Sequence, residues 1–319
     1  MRVTTSLHDV LHRPRAVAIG TFDGVHIGHR AVIGRAVALA VERGLTSAVL
    51  TFDRHPLEVV APRRVPRLLT PLAEKVRLIG ESRPDELVLL PFDEQLAALP
   101  AQDFCGRLLS DTLDARVVVV GENFNFGAGG VGDAGFLRAC GREHGYETIV
   151  EPLVTEHGKT ISSTRIRRLL HEGELEEVRE ILGRPPSATG RVVAGDRRGR
   201  TLGVPTANIE VLAGTIFPGR GVYAARARVD ASWYRAAVNI GHNPTFRHHA
   251  ETTSVSIEAY LLGFSGDIYE RDIHVDFLHK IRDERRFDSV EALVAQMRED
   301  IRVTAELQDP ALAEVGLSP

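Results

Sequence analysis

Gly20-Thr21-Phe22-Asp23-Gly24-Val25-His26-Ile27-Gly28-His29 follows the apolar run Ala16-Val17-Ala18-Ile19, and the junction of these two stretches decides the fold. Four apolar residues without a polar interruption read as a strand buried on both faces. Gly20, Gly24 and Gly28 read as a turn with close backbone approach and positive φ. A helix pattern begins near His29. A helix start leaves N–H groups without partners, and its dipole favours an anion. His26 and His29 fall at that same place, so the arrangement suits the phosphates of a nucleotide. It is not a P-loop, which would end in Gly-Lys-Ser/Thr, nor the GxGxxG dinucleotide fingerprint. Taken alone, His-x-x-His also fits half a metal site, although no Cys or carboxylate with ligand spacing stands nearby, or two surface histidines.

Around this motif the first half alternates two patterns. Strands are predicted at 16–20, 46–52, 86–90, 116–120 and 146–150, and helices at 29–43, 72–81, 101–113 and 133–144. The first helix places Val32, Ala36, Leu39 and Ala40 on one face, and Gly44 ends it. Apolar strands alternating with helices predict a parallel sheet covered on both faces. Ligands of such sheets sit at the carboxyl ends of the strands. Segments 20–29, 53–56 and 121–127 share that edge. Two short helices, 163–172 and 174–182, precede the break at Gly183-Arg184-Pro185-Pro186.

Beyond the break the pattern changes to short strands at about 189–194, 221–228, 233–239, 254–262 and 273–277, which predicts a small antiparallel barrel. A closing amphipathic helix, 289–307, carries Leu293, Met297 and Ile301 on one face. Two domains follow, 1–185 and 186–319.

The chain has 319 residues and a formal net charge of -4, room for two ordinary domains without a basic field for nucleic acid. Cys105 and Cys140 make no disulfide framework, so a reducing cytoplasm is expected. The amino-terminal residues show no apolar signal region, and no segment is long and apolar enough to span a membrane.

Three further segments of the first half carry chemistry. Thr51-Phe52-Asp53-Arg54-His55-Pro56 ends one strand. Gly121-Glu122-Asn123-Phe124-Asn125-Phe126-Gly127 ends another and offers aromatic walls and an amide to a planar ring. Ile161-Ser162-Ser163-Thr164-Arg165-Ile166-Arg167 opens a helix with hydroxyls and arginines, a second phosphate-binding construction. Simple capping by the serines, a solvated arginine face and a left-handed turn at Asn125 are the plainer readings.

Together these segments resemble the FMN adenylyltransferase (FAD synthetase) module of bacterial bifunctional riboflavin kinase/FAD synthetases. The resemblance implies a Rossmann-like nucleotidylyltransferase domain in which the FMN phosphate attacks the α-phosphorus of ATP and pyrophosphate leaves. It assigns His26 and His29 to the ATP phosphates, along with the turn residues Gly20, Phe22, Asp23, Gly24 and Gly28. Asp23 shapes the turn or orients a metal ion. Ser162, Ser163, Thr164 and Arg165 would hold the β- and γ-phosphates, and Asn125 with Phe124 and Phe126 would belong to the flavin side. Asn123 and Asn125 stand where other members often carry Asp and Arg.

In the second half, Gly195-Asp196-Arg197-Arg198-Gly199-Arg200-Thr201-Leu202-Gly203-Val204-Pro205-Thr206-Ala207-Asn208 joins a Gly/Arg loop to two hard oxygen donors, Thr206 and Asn208, which suit Mg2+ beside ATP phosphates. In the strand at 254–262, Val255, Ile257, Ala259 and Leu261 share one face, and Ser254, Ser256, Glu258 and Tyr260 the other. Glu258 is a surface carboxylate or a general base for an alcohol. With Pro218-Gly219-Arg220-Gly221-Val222-Tyr223, Val238-Asn239-Ile240-Gly241, Asn243-Pro244-Thr245 and Ile281-Arg282-Asp283-Glu284, this half resembles riboflavin kinase over about residues 187–305. That implies Thr206 and Asn208 on Mg2+, Gly199 on the nucleotide, and Glu258 taking the proton of the ribityl 5′-hydroxyl as it attacks the γ-phosphate. Tyr260, Gly263 and Glu270 depart from the family pattern. They leave those residues in place and fall on the local hairpin and the flavin fit.

The resulting expectation is an enzyme that takes riboflavin to FMN and then to FAD, using ATP and Mg2+. Two other readings stand beside it: an FMN adenylyltransferase with an inactive kinase fold, and a flavin-binding regulator without turnover. The sequence leaves a homo-oligomer open, in which one chain's kinase site would lie near another's adenylyltransferase site.

Overall fold

The structure is a computed structural model that describes residues 1–195, 203–242, 255–313 and 315. Gly199 with most of its loop, Asn243-Pro244-Thr245 and Ser254 lie outside the described residues. Contacts divide the chain into two compact units, Met1–Ser163 and Thr164–Pro319.

The first unit is a six-stranded sheet in the order β1-β4-β3-β2-β5-β6, with every neighbouring pair parallel. The strands are β1 (Arg2–Thr4), β2 (Arg15–Ile19), β3 (Thr46–Phe52), β4 (Glu86–Leu90), β5 (Ala115–Gly121) and β6 (Glu147–Glu151), and a small antiparallel hairpin of β7 (Thr155–Glu156) and β8 (Lys159–Thr160) follows them in the chain. Both faces are covered, as the uninterrupted apolar runs predict. Val17 and Ile19 enter one core with Leu50, Phe104 and Leu137, while Ala16 and Ala18 enter the other with Ile33, Leu39 and Leu78.

Helices α1 (Ile27–Arg43), α2 (Leu72–Glu81) and α3 (Ala134–His144) run between strands. Gly44 ends α1 in the left-handed conformation. Three differences from the sequence reading stand out. Helix α1 begins at Ile27, two residues ahead of the expected start, because His26 supplies the cap. The expected helix over 101–113 is a short α-turn, Ala101–Asp103, that widens into a π-helix over Phe104–Thr112. The three-residue edge strand β1 was not expected.

One buried ion pair escapes hydrophobic patterning. Arg15, 0% exposed, donates through Nε to Glu86 Oε2 at 2.8 Å. Its other nitrogens reach the carbonyl oxygens of Leu11, Arg13 and Leu113 at 2.6, 2.8 and 2.9 Å.

The second unit holds α4 (Ser163–Glu172, from Thr164 on) and α5 (Leu175–Leu182) together with a closed barrel in the order β10-β13-β12-β11-β14-β9. Its strands are β9 (Ser187–Val193), β10 (Ala207–Val211), β11 (Gly221–Val229), β12 (Ser232–His242), β13 (Val255–Leu261) and β14 (Asp272–Arg282). All pairs are antiparallel, and β9 joins both β10 and β14. Strand β10 was not predicted. It begins inside the Pro-Thr-Ala-Asn string, where Pro205 and the short apolar alternation mask it.

Helix α6 (Val290–Glu306) is capped by Ser289. Leu293, Met297 and Ile301 are half-buried on it, and the fully buried residues are Asp300 and Thr304. Arg282 grips Asp300 with two bonds of 2.9 and 2.7 Å, so a forked ion pair fastens the helix to β14.

Candidate active sites

Chain order and spatial order diverge at β2. From β2 the chain steps to β3 on one side and later returns to β5 on the other. This topological switch point opens a crevice at the carboxyl ends of β2 and β5, the place where open α/β sheets bind ligands. The loop 20–29 leaves β2 and the loop 121–127 leaves β5, so the two most distinctive segments of the first half border one crevice.

The loop 20–29 is held by strain and by its neighbours. Phe22 and Val25 have φ of 51° and 40°, and Gly24 has 91°. Gly20 and Gly28 are not left-handed, contrary to the sequence expectation; their lack of a side chain makes room for the rings of Phe22 and His26. Left-handed backbone at a β-branched residue such as Val25 persists only where surroundings impose it. Here the imposition comes from Asp23, 5% exposed. Its carboxylate accepts from Leu69 N at 3.0 Å and Thr70 N at 3.2 Å, while Gly24 N donates to Thr70 Oγ1 at 3.2 Å. Of the two roles open to Asp23 in the sequence, shaping the turn is the one these bonds perform.

His26 caps α1. His29 N donates to His26 Nδ1 at 3.2 Å, which fixes Nδ1 as an acceptor and places the proton of the neutral ring on Nε2. The two imidazoles stack with centroids 3.6 Å apart. His29 Nδ1 is shut off from water without a hydrogen-bond partner among the described residues. Burial, then the charges of His26 and Lys75, hold the His29 pKa well below its ordinary 6.5. At a helix N-terminus an uncharged His29 ring, stacked on His26, offers an N–H donor to an oxyanion.

Ser163, the last residue of the first unit, donates through Oγ to the Asp23 carbonyl oxygen at 2.9 Å. Ser162 is half-buried and Thr164 exposed. Arg165 is buried, and its guanidinium pairs with Glu177, Nε lying 3.2 Å from Oε1. On the β5 side, Phe126 is a core residue, packed against Phe104 and Phe124 at centroid distances of 5.0 and 5.6 Å. Phe124 is half-buried, and Asn125 is exposed with its Nδ2 donating to the Asn123 carbonyl at 3.1 Å.

In the barrel, Glu258 pairs across the sheet with Asn208 on β10 and with Asn239 on β12. Residues in register across antiparallel strands point to one face, so the three form a polar row. All three are half-buried, whereas Ile257, Ala259 and Leu261 on β13 are buried. Thr206 Oγ1 donates to Glu258 Oε2 at 3.5 Å. The Asn208 carboxamide lies over Gly195, where an added Cβ would sit 2.2 Å from its Nδ2. On the other side, Glu284 Oε1 and Asn239 Nδ2 lie 2.6 and 3.2 Å from a Cβ built on Gly241. Gly263 and Glu270 have φ of 70° and 62°. Glycine suits the first, and the second is a strained conformation for a glutamate.

Asn239 and Lys75 were not singled out in the sequence. Asn239 stands in a quoted string, but only register brings it beside Glu258. Lys75 left a fainter signal: it shares the i, i+3, i+4 face of α2 with Leu78 and Ile79, all three buried. A lysine on an apolar helical face needs a partner for its charge.

Residues 9–165 match the family model for FAD synthetase, and residues 182–308 match that for riboflavin kinase. A bifunctional riboflavin kinase/FMN adenylyltransferase from Listeria monocytogenes is 38% identical over 302 residues, 92% of this chain and 94% of that one. The Pseudomonas fluorescens protein of the same name is 35% identical over 313 residues, 98% of this chain and 99% of that one. A crystal structure from Streptococcus pneumoniae, described as a macrolide-efflux protein, has a TM-score of 0.84 at 32% identity and covers 96% of this chain and 99% of that one. No helix among the described residues is long and apolar enough to cross a membrane. With both domains matched in order and relatives alike over nearly the whole length, the chain belongs to the bifunctional riboflavin kinase/FMN adenylyltransferase family.

Proposed function

We propose that the chain phosphorylates riboflavin to FMN in a kinase domain of residues 186–319 and adenylates FMN to FAD in a domain of residues 1–185, with ATP as donor in both. The matches to the two family models, which end at residue 165 and begin at 182, support that division. The observation that carries the reading is the stacked pair His26–His29 at the head of α1, on the switch-point crevice.

In the first step toward FAD, an FMN phosphate oxygen attacks the α-phosphorus of ATP, and the bond to pyrophosphate breaks. The nucleophile is already ionised, so positioning and charge neutralisation do the work. His26 and His29 donate to the ATP phosphates, as do the N–H groups of the loop. Ser162, Ser163, Thr164 and Arg165 hold the β- and γ-phosphates. Phe124 and Asn125 meet the flavin, with Phe126 backing Phe124 from the core.

In the kinase domain Glu258 takes the proton of the ribityl 5′-hydroxyl. That oxygen bonds to the γ-phosphorus of ATP, and ADP leaves. The Thr206 hydroxyl and Asn208 carboxamide are hard oxygen donors beside a carboxylate, a set that fits Mg2+. The ion, when bound, neutralises charge on the phosphoryl group being transferred. Free, buried Cys105 and Cys140 support a cytoplasmic setting.

The test is a time course with riboflavin, ATP and Mg2+, products resolved by chromatography. The wild type makes FMN and then FAD, Glu258→Ala turns over only added FMN, and the His26→Ala/His29→Ala variant stops at FMN. A wild-type protein that adenylates FMN but forms none from riboflavin would leave the barrel without kinase activity and overturn the bifunctional reading.

A further inference from the structure

Lys75 lies on α2, outside every segment that carries the family's motifs, and is 6% exposed. Its Nζ donates to the Phe52 carbonyl at 2.7 Å and to the Thr21 carbonyl at 3.4 Å. Those oxygens belong to the last residue of β3 and to the loop that leaves β2. Thr51 Oγ1 reaches the same Thr21 oxygen at 3.2 Å, and Gly20 N donates to Leu50 O at 3.2 Å. The stretch just before α2 supplies the second hold, through Leu69 N and Thr70 on Asp23. One short segment, residues 69–75, therefore grips the loop 20–29 at both Thr21 and Asp23.

The charge of Lys75 is equally placed. Asp23, Asp53 and Glu58 stabilise it against burial, which otherwise favours the neutral amine. Lys75 in turn acts with His26 to disfavour protonation of His29. A buried ammonium that spends its donors on backbone carbonyls stiffens the strand ends more than an apolar side chain of equal length, because charge-assisted bonds are the stronger kind.

We propose that Lys75 is a positioning residue for FMN adenylylation: its ammonium locks the Thr21 and Phe52 carbonyls and so fixes the loop that presents His26 and His29. The proposal rests on the reading of those histidines as phosphate ligands. Lys75→Met keeps the length and loses the donors. A loop released by about 1 Å lowers kcat for FMN adenylylation on the order of 10²-fold. The acid limb of its pH profile moves to higher pH, because His29 protonates more readily once a neighbouring cation is gone. Riboflavin phosphorylation by the same preparation stays at the wild-type rate, which controls for the amount of intact protein, and urea unfolding of the first unit checks its fold. Lys75→Arg keeps the charge but not the fit, so its kcat falls while the acid limb stays where it was.

The experiment measures both activities of the full chain against pH for the wild type, Lys75→Met, Lys75→Arg and His29→Asn. Wild-type kcat in Lys75→Met, or a lowered kcat with an unmoved acid limb, overturns the proposal while an impaired His29→Asn leaves the histidine reading intact. Wild-type adenylylation by His29→Asn overturns the histidine reading, and the proposal with it. Should Lys75→Met fail to fold, wild-type kcat in Lys75→Arg overturns the proposal, and a lowered kcat with an unmoved limb supports it.

Discussion

At Gly195 a single added methyl group is expected to separate the two activities. An ideal Cβ there would lie 2.2 Å from Asn208 Nδ2 and 2.5 Å from its Cγ, where real Cβ contacts essentially never fall under 3.0 Å. The carboxamide must therefore yield by roughly 1 Å, a shift that costs on the order of 10²-fold when it falls on a group that positions the reacting partners. Asn208 also stands in register with Glu258, so its displacement disturbs the proposed metal ligand and the neighbourhood of the base together. Gly195→Ala is expected to phosphorylate riboflavin about 10²-fold more slowly than the wild type and to need more Mg2+ for half-maximal rate. FMN adenylylation in the same tube should be unchanged. The assay is chromatographic separation of FMN and FAD from parallel reactions started with riboflavin or with FMN, over a range of Mg2+ concentrations. Phosphorylation at the wild-type rate with an unaltered Mg2+ requirement would refute the reasoning, because it would show that the position of the Asn208 carboxamide is immaterial to catalysis.

Arg15→Met leaves buried Glu86 only the longer contact to Arg13, 3.8 Å, and should cost about 3 kcal/mol of stability in the first unit, with Glu86→Gln added to it restoring part of the loss, as read by urea unfolding. Glu270→Gly removes a left-handed glutamate whose ion pair with Arg191, 3.2 Å long, is mostly exposed; the variant should gain on the order of 1 kcal/mol, seen as a higher melting temperature, and a lower one would contradict the strain argument. The depressed pKa of His29 makes the unfolded chain the better proton acceptor below 6.5. The stability contributed by its neutral form is thus present above pH 6.5 and is lost as pH falls from there toward the folded value. Urea titrations from neutral pH downward should show this slope in the wild type and a shallower one in His29→Asn.

The parts of the molecule visible in the sequence are those where a residue's neighbours along the chain decide its environment. Ala16 to Ile19 alternate between two cores, and no polar residue interrupts them, so their double burial could be read directly. His26 and His29 at the head of α1, and Thr206 and Asn208 at the start of β10, are near neighbours in the chain, so that each pair stands together could also be read directly. The rest depends on residues distant in the chain. The π-helix at Phe104 arises where Phe126 packs against it, and no local periodicity encodes that. Strand β10 owes its existence to pairing with β9 and β13. Asn239 meets Glu258 only through strand register, and Lys75 finds its carbonyl partners on two other elements. Val25 shows the converse: its β-branched side chain argues against a left-handed turn, and the hold on Asp23 overrides that preference.

The barrel and the parallel sheet treat their borders differently. The barrel closes through β9, so among the described residues its strands leave no open hydrogen-bonding rim for a second chain. The parallel sheet has two such rims. One, β1, is only three residues long. The other, β6, carries Glu147 and Glu151, paired with Arg43 and Arg35. Shortness and charge both discourage edge-to-edge pairing. Behind β6 lies Val117-Val118-Val119-Val120, fully buried, uncharged and β-branched throughout, the composition that drives cross-β stacking once uncovered. The charged ends of β6 therefore act as a guard. Under heat or at high concentration, clumping should start where that one strand peels away.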